Sequence, residues 1–160
     1  MISEAKCKFP VKAKYCERNL VISHKHRMAI NHHLNTMLKP QDSLFIPKVK
    51  APGSTMKPQN MYVWPGLELI ACCRSGLKGL RNGVRYKIEN IDSEITLEGG
   101  VKLSYIDCSK LLRLGYAQTY ASCQGDEFDN VRLYDTDHNH FTWKHLYVGM
   151  SRAKIYCEVM

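Results

Sequence analysis

Two stretches in the last third of the sequence hold side chains that could contact phosphate. Thr119 and Ser122 carry hydroxyls that could donate to the phosphate oxygens of a nucleic acid strand, although turn hydroxyls can equally bond their own backbone. Arg152 follows an amphipathic helical pattern, and a guanidinium is always charged and can hold phosphate through two hydrogen bonds. The alternative for Arg152 is a surface side chain that caps the carboxyl end of that helix. These residue types indicate phosphate chemistry if other elements of the chain position them.

The sequence lacks the common motifs for hydrolysing nucleotides or esters by itself. It has no Gly-x-x-x-x-Gly-Lys-Ser/Thr loop to cradle phosphates and no apolar strand ending in Asp-Glu to hold magnesium. It also has no Gly-x-Ser-x-Gly motif of the serine hydrolases. We therefore expect that this chain alone assembles neither an ordinary ATPase site nor a free-standing hydrolase site.

Cysteine, histidine and hydropathy patterns bear on compartment and on metals. The 7 cysteines are an odd number without the spacing of a disulfide framework, so we expect them to be reduced. The 7 histidines show no zinc-type spacing beside paired cysteines, so no metal site is predicted. No apolar run approaches the roughly 20 residues of a membrane-spanning helix, and no secretory signal is recognisable. We expect an intracellular protein, in the cytoplasm, the nucleus or a viral replication site, with no membrane partner.

The excess of positive over negative charge lies entirely in the first third of the chain. The net charge is +8, and residues 1–58 hold 11 basic and 3 acidic side chains, whereas residues 59–160 hold 12 of each. Lys48 and Lys50 lie in a Pro/Gly/Ser-rich stretch that is typical of a flexible or extended connection. Such a basic region can bind a nucleic acid backbone without reading its sequence, or it can simply be a soluble basic surface.

Apolar periodicity predicts an α/β chain with a β-rich stretch in its middle. A strand over 19–22 leads into a helix that Ser23 caps. Further strands are predicted over 67–73, 84–91, 95–97, 101–106, 115–120, 130–134 and 155–159. A helix is predicted to begin near Thr142, with an apolar face formed by Trp143, Leu146, Tyr147 and Met150.

Two motifs in the last third together carry a family resemblance. The run GYAQTYASCQGDEFDNV over 115–131 is followed, after a strand and a variable loop, by LYVGMSRAK over 146–154. This pair resembles motifs V and VI of superfamily 1 helicases of the UvrD, RecD and Dda type, in their second RecA-like domain. The family pattern is Tyr-Ala-x-Thr-x-His-Lys-x-Gln-Gly-x-Glu-Phe-x-x-Val, then Leu-Tyr-Val-Ala-x-Ser/Thr-Arg-Ala-Arg/Lys. Weaker upstream similarities occur in the family's order, so the resemblance covers about residues 16–160.

The resemblance implies a nucleotide-binding role for several motif residues. Arg152 would be the catalytic arginine finger, reaching the γ-phosphate of ATP held by a partner RecA-like domain. Gln124, Gly125 and Glu127 would form the rest of the nucleotide side, with the Glu127 carboxylate on the ribose hydroxyls; the alternative for Glu127 is a solvated acid in an acidic loop. ATP and Mg²⁺ would bind only together with that partner domain.

One departure from the family pattern concerns the nucleic acid side. The family usually has His-Lys where this chain has Ala121 and Ser122, so strand contact should be weaker there. Basic and polar residues upstream could compensate. The candidate nucleic-acid contacts are Ser23, His24, Lys25, Thr119, Ser122, Lys48 and Lys50. Tyr62 and Trp64 could stack on bases or could instead pack in the core.

The resemblance predicts an α/β fold, a RecA-like domain of the P-loop NTPase type that lacks the phosphate loop. This domain would comprise residues 16–74 and 109–160, interrupted by a small β-barrel or β-meander subdomain over 75–108. Residues 1–15 would form a basic N-terminal segment.

Three functional interpretations remain open. The chain could be a fragment of a longer helicase, or a separately encoded half that completes an ATPase in trans; either would serve ATP-dependent DNA unwinding in replication or repair. The alternative is a helicase-derived module that binds nucleic acid or regulates a partner without ATPase activity. The expected partners are single-stranded nucleic acid, DNA in preference to RNA, and a first RecA-like domain in cis or in trans.

Overall fold

The computed structural model describes residues 1–50, 57–123 and 125–160. Its helices are α1 (Ile2–Lys8), α2 (His24–Leu38), α3 (Tyr105–Leu111) and α4 (Trp143–Met150), with a short 3₁₀ helix at Leu77–Gly79. Its strands are β1 (Asn19–Val21), β2 (Leu44–Ile46), β3 (Met61–Val63), β4 (Glu68–Ala71), β5 (Arg85–Ile91), β6 (Ile95–Leu97), β7 (Lys102–Leu103), β8 (Leu112–Leu114), β9 (Ala117–Thr119), β10 (Phe128–Leu133) and β11 (Ala153–Val159). Two compact units result, Met1–Asn31 with Tyr116–Met160 and His32–Gly115, and their boundary falls inside α2.

The first unit is built on a parallel sheet with the strand order β11-β10-β1-β9. In β1, Leu20 lies opposite Gln118 of β9 and Leu133 of β10. Because successive parallel strands need a crossover connection, residues 120–127 lead from β9 back to β10, on the other side of β1, and α4 leads from β10 to β11. Both crossovers carry the motif residues.

Helix α4 approaches the sheet closely because residue 149 is a glycine. Leu133 and Val131 of β10 are fully buried, and Leu146 of α4 packs in the same cluster. A Cβ atom on Gly149 would lie 2.5 Å from a methyl carbon of Leu133 and 3.1 Å from the Tyr120 ring. The missing side chain therefore lets a large leucine fill the space between helix and sheet.

A buried asparagine of α2 fixes the position of β9. The Asn31 Oδ1 atom accepts from the Ala117 N–H at 2.8 Å, and Asn31 Nδ2 donates to the Ala117 carbonyl at 3.4 Å. Asn31 is completely buried. The strand that leads to Thr119 is thus tied to the helix that follows β1.

Replacing Asn31 by alanine should destabilise the fold by about 1–3 kcal/mol, because the Ala117 amide would lose its acceptor inside the core. Chemical denaturation followed by circular dichroism measures this loss. The exposed Asn130 supplies the matched control, since its replacement by alanine should change the free energy of unfolding by less than about 0.5 kcal/mol. Equal effects of the two substitutions would contradict the role of Asn31.

The second unit is built on antiparallel sheets and also contains α3. Strands β7-β6-β5-β4-β8 form a five-stranded sheet, and β2 and β3 form a two-stranded ribbon. Apolar residues of the larger sheet are almost completely buried, among them Leu69, Ile88, Ile95, Leu97 and Leu114. This hydrophobic interior explains why strands that are short individually hold together.

The predicted α/β fold class is confirmed, since a parallel sheet with helices accompanies a curled antiparallel sheet. The predicted strands over 67–73, 84–91, 95–97, 130–134 and 155–159 correspond to β4, β5, β6, β10 and β11. The five-stranded sheet also contains β4 and β8, which lie outside 75–108. The domain boundaries at 75 and 108 remain a prediction about the family's inserted subdomain.

Two local predictions were wrong. The strand predicted over 101–106 ends at Leu103, because Ser104 caps α3 by accepting from the Asp107 N–H. The apolar face predicted for α4 is also displaced: Leu146 is buried, but Trp143 is 49% and Tyr147 76% exposed. Helical spacing identifies which apolar side chains share one face of α4. The close contact between Gly149 and Leu133 determines which face of α4 packs on the sheet.

Candidate functional site

The turn between β1 and α2 presents three predicted nucleic-acid contacts. Ser23, His24 and Lys25 are all exposed. The predicted cap is confirmed, because Ser23 Oγ accepts from the His26 N–H at 3.1 Å. Three adjacent polar or basic side chains therefore stand at the carboxyl end of β1.

Asp135, which the sequence analysis missed, holds this turn in place. One carboxylate oxygen accepts from the Ile22 N–H at 2.8 Å, and the other lies 2.7 Å from His26 Nδ1. The Asp135 backbone has φ of +62°, a conformation that Asp tolerates better than most residues. A lone Asp after a strand gave no signal of this long-range contact in the sequence.

The hydroxyls of Thr119 and Ser122 bond each other and the local backbone. Thr119 Oγ1 donates to Ser122 Oγ at 3.0 Å, and Ser122 Oγ donates to the Thr119 carbonyl at 3.1 Å. The Thr119 N–H in turn donates to Ser122 Oγ at 3.1 Å. This arrangement fixes a tight turn at the carboxyl end of β9, beside the end of β1. A contact between these two hydroxyls and a nucleic acid strand stays a prediction.

The crossover over 120–127 leads from the carboxyl end of β9 back to the amino end of β10. Gln118 Nε2 donates to Asp126 Oδ2 at 3.2 Å, and Gly125 adopts φ of +88°, which favours glycine. Cys123 is fully buried, and burial raises the pKa of its thiol to about 11, so the thiol stays protonated. Gln124 lies outside the described residues.

Arg152 lies at the amino ends of β10 and β11. Its Nη1 donates to the Asp126 carbonyl at 3.2 Å and its Nη2 to Ser151 Oγ at 3.1 Å. Its own carbonyl accepts from the Phe128 N–H at 2.8 Å. The guanidinium is half-buried, at the end of α4, and it is aligned by the crossover that carries the other motif.

The Glu127 carboxylate directly precedes β10 and faces solvent. It is 64% exposed and lies 3.6 Å from Lys154 Nζ. It also lines a cavity of about 800 Å³ together with Arg18 and Phe128, and the Arg18 guanidinium lies 5.7 Å from the Phe128 ring centroid. The structure thus gives Glu127 a solvent-accessible position that a sugar hydroxyl could reach.

Lys48 and Lys50 belong to the second unit and are exposed. The backbone around them is held firmly: the Lys48 N–H donates to Asn60 Oδ1 at 2.9 Å, and the Val49 N–H donates to Ser109 Oγ at 2.9 Å. Residues 47–50, in the stretch predicted to be a flexible or extended connection, adopt no helix or strand. The rest of that Pro/Gly/Ser stretch, residues 51–56, lies outside the described residues.

The described residues form neither a metal cluster nor a membrane span. In that part of the chain, no three His, Cys, Asp or Glu side chains come together in a way that could hold a metal ion. Nor does it contain a helix that is long and apolar enough to cross a membrane.

Comparison with known proteins places these motifs in a family context. The family described as viral superfamily 1 RNA helicase core domain matches residues 38–160. No curated protein matches the sequence.

Solved helicase structures share the fold. A Bacteroides Pif1 bound to single-stranded DNA superposes with a TM-score of 0.63 at 18% identity, covering 99% of this chain and 43% of that chain. Pif1 helicase from Candida albicans gives 0.60 at 13% identity, covering 99% of this chain and 48% of that one. At these identities the likeness concerns the fold. The chain spans less than half the length of either protein.

Proposed function

The chain belongs to the viral superfamily 1 RNA helicase core family, and from that premise we propose that it is the C-terminal motor half of a superfamily 1 helicase. In this proposal it supplies the arginine finger and single-strand contacts for ATP-dependent unwinding of DNA. A first RecA-like domain, in cis or in trans, supplies the phosphate loop and the metal-binding acid that this sequence lacks. We call the two halves together the complete motor.

One observation carries the proposal: the candidate nucleic-acid residues and the candidate nucleotide residues lie at opposite ends of the same parallel sheet. Ser23 and Thr119 follow β1 and β9, whereas Glu127 and Arg152 precede β10 and β11. The crossover over 120–127 connects the two ends, and Arg152 bonds it directly at Asp126. A displacement of Arg152 on binding a nucleotide would therefore reach the nucleic-acid-binding residues after β9 through this short segment.

In this proposal, the residues at the amino ends of β10 and β11 face a nucleotide held by another domain. ATP with Mg²⁺, when bound there, would supply the phosphoryl group that is transferred to water. Arg152 would place its planar guanidinium against the developing charge on the γ-phosphate. Glu127 is exposed enough to exchange its contact with Lys154 for the ribose hydroxyls.

The nucleic acid strand would cross the carboxyl ends of β1 and β9. The exposed Ser23, His24 and Lys25 offer donors and charge to phosphate oxygens, and Asp135 keeps their turn in one conformation. Solved relatives are Pif1 helicases bound to single-stranded DNA, which supports DNA as the substrate, while the family description names RNA helicases. Binding of matched deoxyribose and ribose oligonucleotides separates the two.

Reversing the charge at Lys48 and Lys50 together should weaken strand binding equally for all base sequences. The slope of log affinity against log salt should also become shallower, by about 0.7 for each phosphate of a single strand that is no longer neutralised. Fluorescence anisotropy across a salt series measures both quantities. The double variant Lys102→Glu with Lys144→Glu, at exposed lysines outside the basic first third of the chain, provides the matched charge-reversal control. A weakening confined to one base sequence would contradict backbone binding.

The alternative function is a strand-binding or regulatory module without ATPase activity. It is favoured by Ala121 and Ser122, which replace the family's His-Lys pair, and by the Ser122 hydroxyl, which bonds its own turn. Strand-stimulated ATP hydrolysis by the complete motor tests the proposal against this alternative. If the chain is a motor half, single-stranded DNA should raise the rate of ATP hydrolysis. If hydrolysis is absent, or is unchanged by single-stranded DNA, the binding module is favoured.

A further inference from the structure

The β2–β3 ribbon presents a pair of aromatic rings on its outer face. Phe45 and Tyr62 lie directly opposite each other in the antiparallel register. Their ring centroids are 5.3 Å apart, at an interplanar angle of 54°. Phe45 is 48% exposed and Ile46 is buried, because successive side chains of a strand point to opposite faces.

One lysine contacts this aromatic pair, and further lysines lie near it in the sequence. Lys39 Nζ lies 3.7 Å from the centroid of the Tyr62 ring, a cation–π contact that keeps one ammonium on the ribbon. Lys48 follows Phe45 by three residues, about 10 Å along an extended chain. Over residues 39–64 the sequence has 4 lysines and one acid, Asp42. The segment that includes the ribbon therefore carries a net positive charge, which favours a polyanionic ligand.

Buried polar groups hold the ribbon in a fixed geometry. Asn35, which is 2% exposed, accepts from the Tyr62 N–H and donates to the Tyr62 carbonyl, both at 2.8 Å. Ser109 Oγ donates to the Pro47 carbonyl at 2.8 Å and accepts from the Val49 N–H at 2.9 Å. The rings and the lysine segment are thus ordered before any ligand arrives, which lowers the entropic cost of binding.

We propose that the outer face of the β2–β3 ribbon is a base-stacking site for single-stranded nucleic acid, with a base on the Phe45 ring and phosphates on Lys39 and Lys48. Exposed aromatic rings with interspersed cations are the arrangement that binds single strands without reading sequence. The inference rests on the proposed function in so far as it assumes that the chain binds a strand. It adds a specific contact in the second unit that the helicase motifs do not contain.

The test measures binding of the 160-residue chain to a labelled oligothymidylate and to an abasic strand with the same number of phosphates. Phe45→Ala should weaken oligothymidylate binding by about tenfold. It should leave abasic-strand binding and the salt slope unchanged, because no cation is removed. Phe45→Trp should retain the affinity. Leu77→Ala, which removes another exposed hydrophobic side chain of this unit, should have no effect.

Three outcomes would overturn the stacking site. The first is a Phe45→Ala protein that binds oligothymidylate as tightly as the wild type. The second is an equal weakening for both strands, which would show a structural effect instead of stacking. In both cases the proposed function stands. The third is a wild-type chain that binds neither strand at low salt, which would remove the proposed function together with this inference.

Discussion

Replacing Arg152 by alanine is expected to lower ATP turnover by the complete motor about a thousandfold or more, with strand binding nearly intact. An arginine finger stabilises the charge that develops on the transferred phosphoryl group, and it is worth roughly 10³–10⁵ in kcat. The hydrogen bonds to Asp126 and Ser151 orient the guanidinium without surrounding it, since the side chain is only half-buried. The effect is measured as the steady-state rate of ATP hydrolysis at a saturating concentration of single-stranded DNA.

Two further variants define what Arg152 contributes. Arg152→Lys keeps the charge but loses the planar fork, so turnover should remain strongly reduced. Arg81→Ala removes an exposed arginine of the other unit and should leave turnover unchanged. If Arg152→Ala hydrolyses ATP at the wild-type rate, Arg152 serves only to cap α4, and the motor-half proposal loses its catalytic residue.

Removing the charge of Glu158 should destabilise the first unit by about 3–5 kcal/mol, because it leaves Arg132 charged and buried. Both side chains are 5% exposed, and Arg132 Nε lies 2.6 Å from Glu158 Oε2. The other Glu158 oxygen accepts from the Lys12 and Ala13 N–H groups, at 3.0 and 3.1 Å. The pair therefore also attaches the segment before β1 to the sheet. Glu158→Gln, measured by thermal and chemical unfolding, tests this.

The exposed pair of Glu127 and Lys154 is the matched control for stability. Glu127→Gln should change the free energy of unfolding by no more than about 1 kcal/mol, since both partners are solvated. A Glu158→Gln protein as stable as Glu127→Gln would contradict the assigned role of the buried pair.

The same pair predicts how stability depends on pH. Burial alone would raise the pKa of Glu158, but the Lys12 and Ala13 amides and Arg132 outweigh it and lower the pKa below its ordinary 4.5. A lowered pKa in the folded state contributes stability above the unfolded pKa, and that stability is lost as the pH falls through the folded value. Wild-type stability should therefore decline in acid, and Glu158→Gln should show less of this decline.

Sequence patterns predicted the parallel strands well because their apolar runs are short and bounded by polar turns. The run over 130–134 and the Ser23 cap needed only local information, and both are found. The two motifs likewise identified the helicase family before any geometry was known. Local chemistry therefore carried most of the α/β prediction.

Long-range contacts explain what the sequence could not predict. Asp135 bonds the β1–α2 turn across 113 residues of sequence, and Asn31 bonds β9 across 86. Gly149 carries no apolar signal, yet its missing side chain decides which face of α4 is buried. The candidate nucleic-acid residues and the candidate nucleotide residues lie at opposite ends of the sheet because its strands pair in parallel. Residue spacing alone does not specify that pairing.

Both the motor half and the binding module require that the chain holds a single strand, so that claim is tested first. The most direct measurement is fluorescence anisotropy of a labelled single-stranded oligonucleotide titrated with the 160-residue chain at low and at moderate salt. We predict binding that weakens steeply as salt rises, because lysines release counterions from the phosphates. An anisotropy that does not change even at low salt would contradict the account.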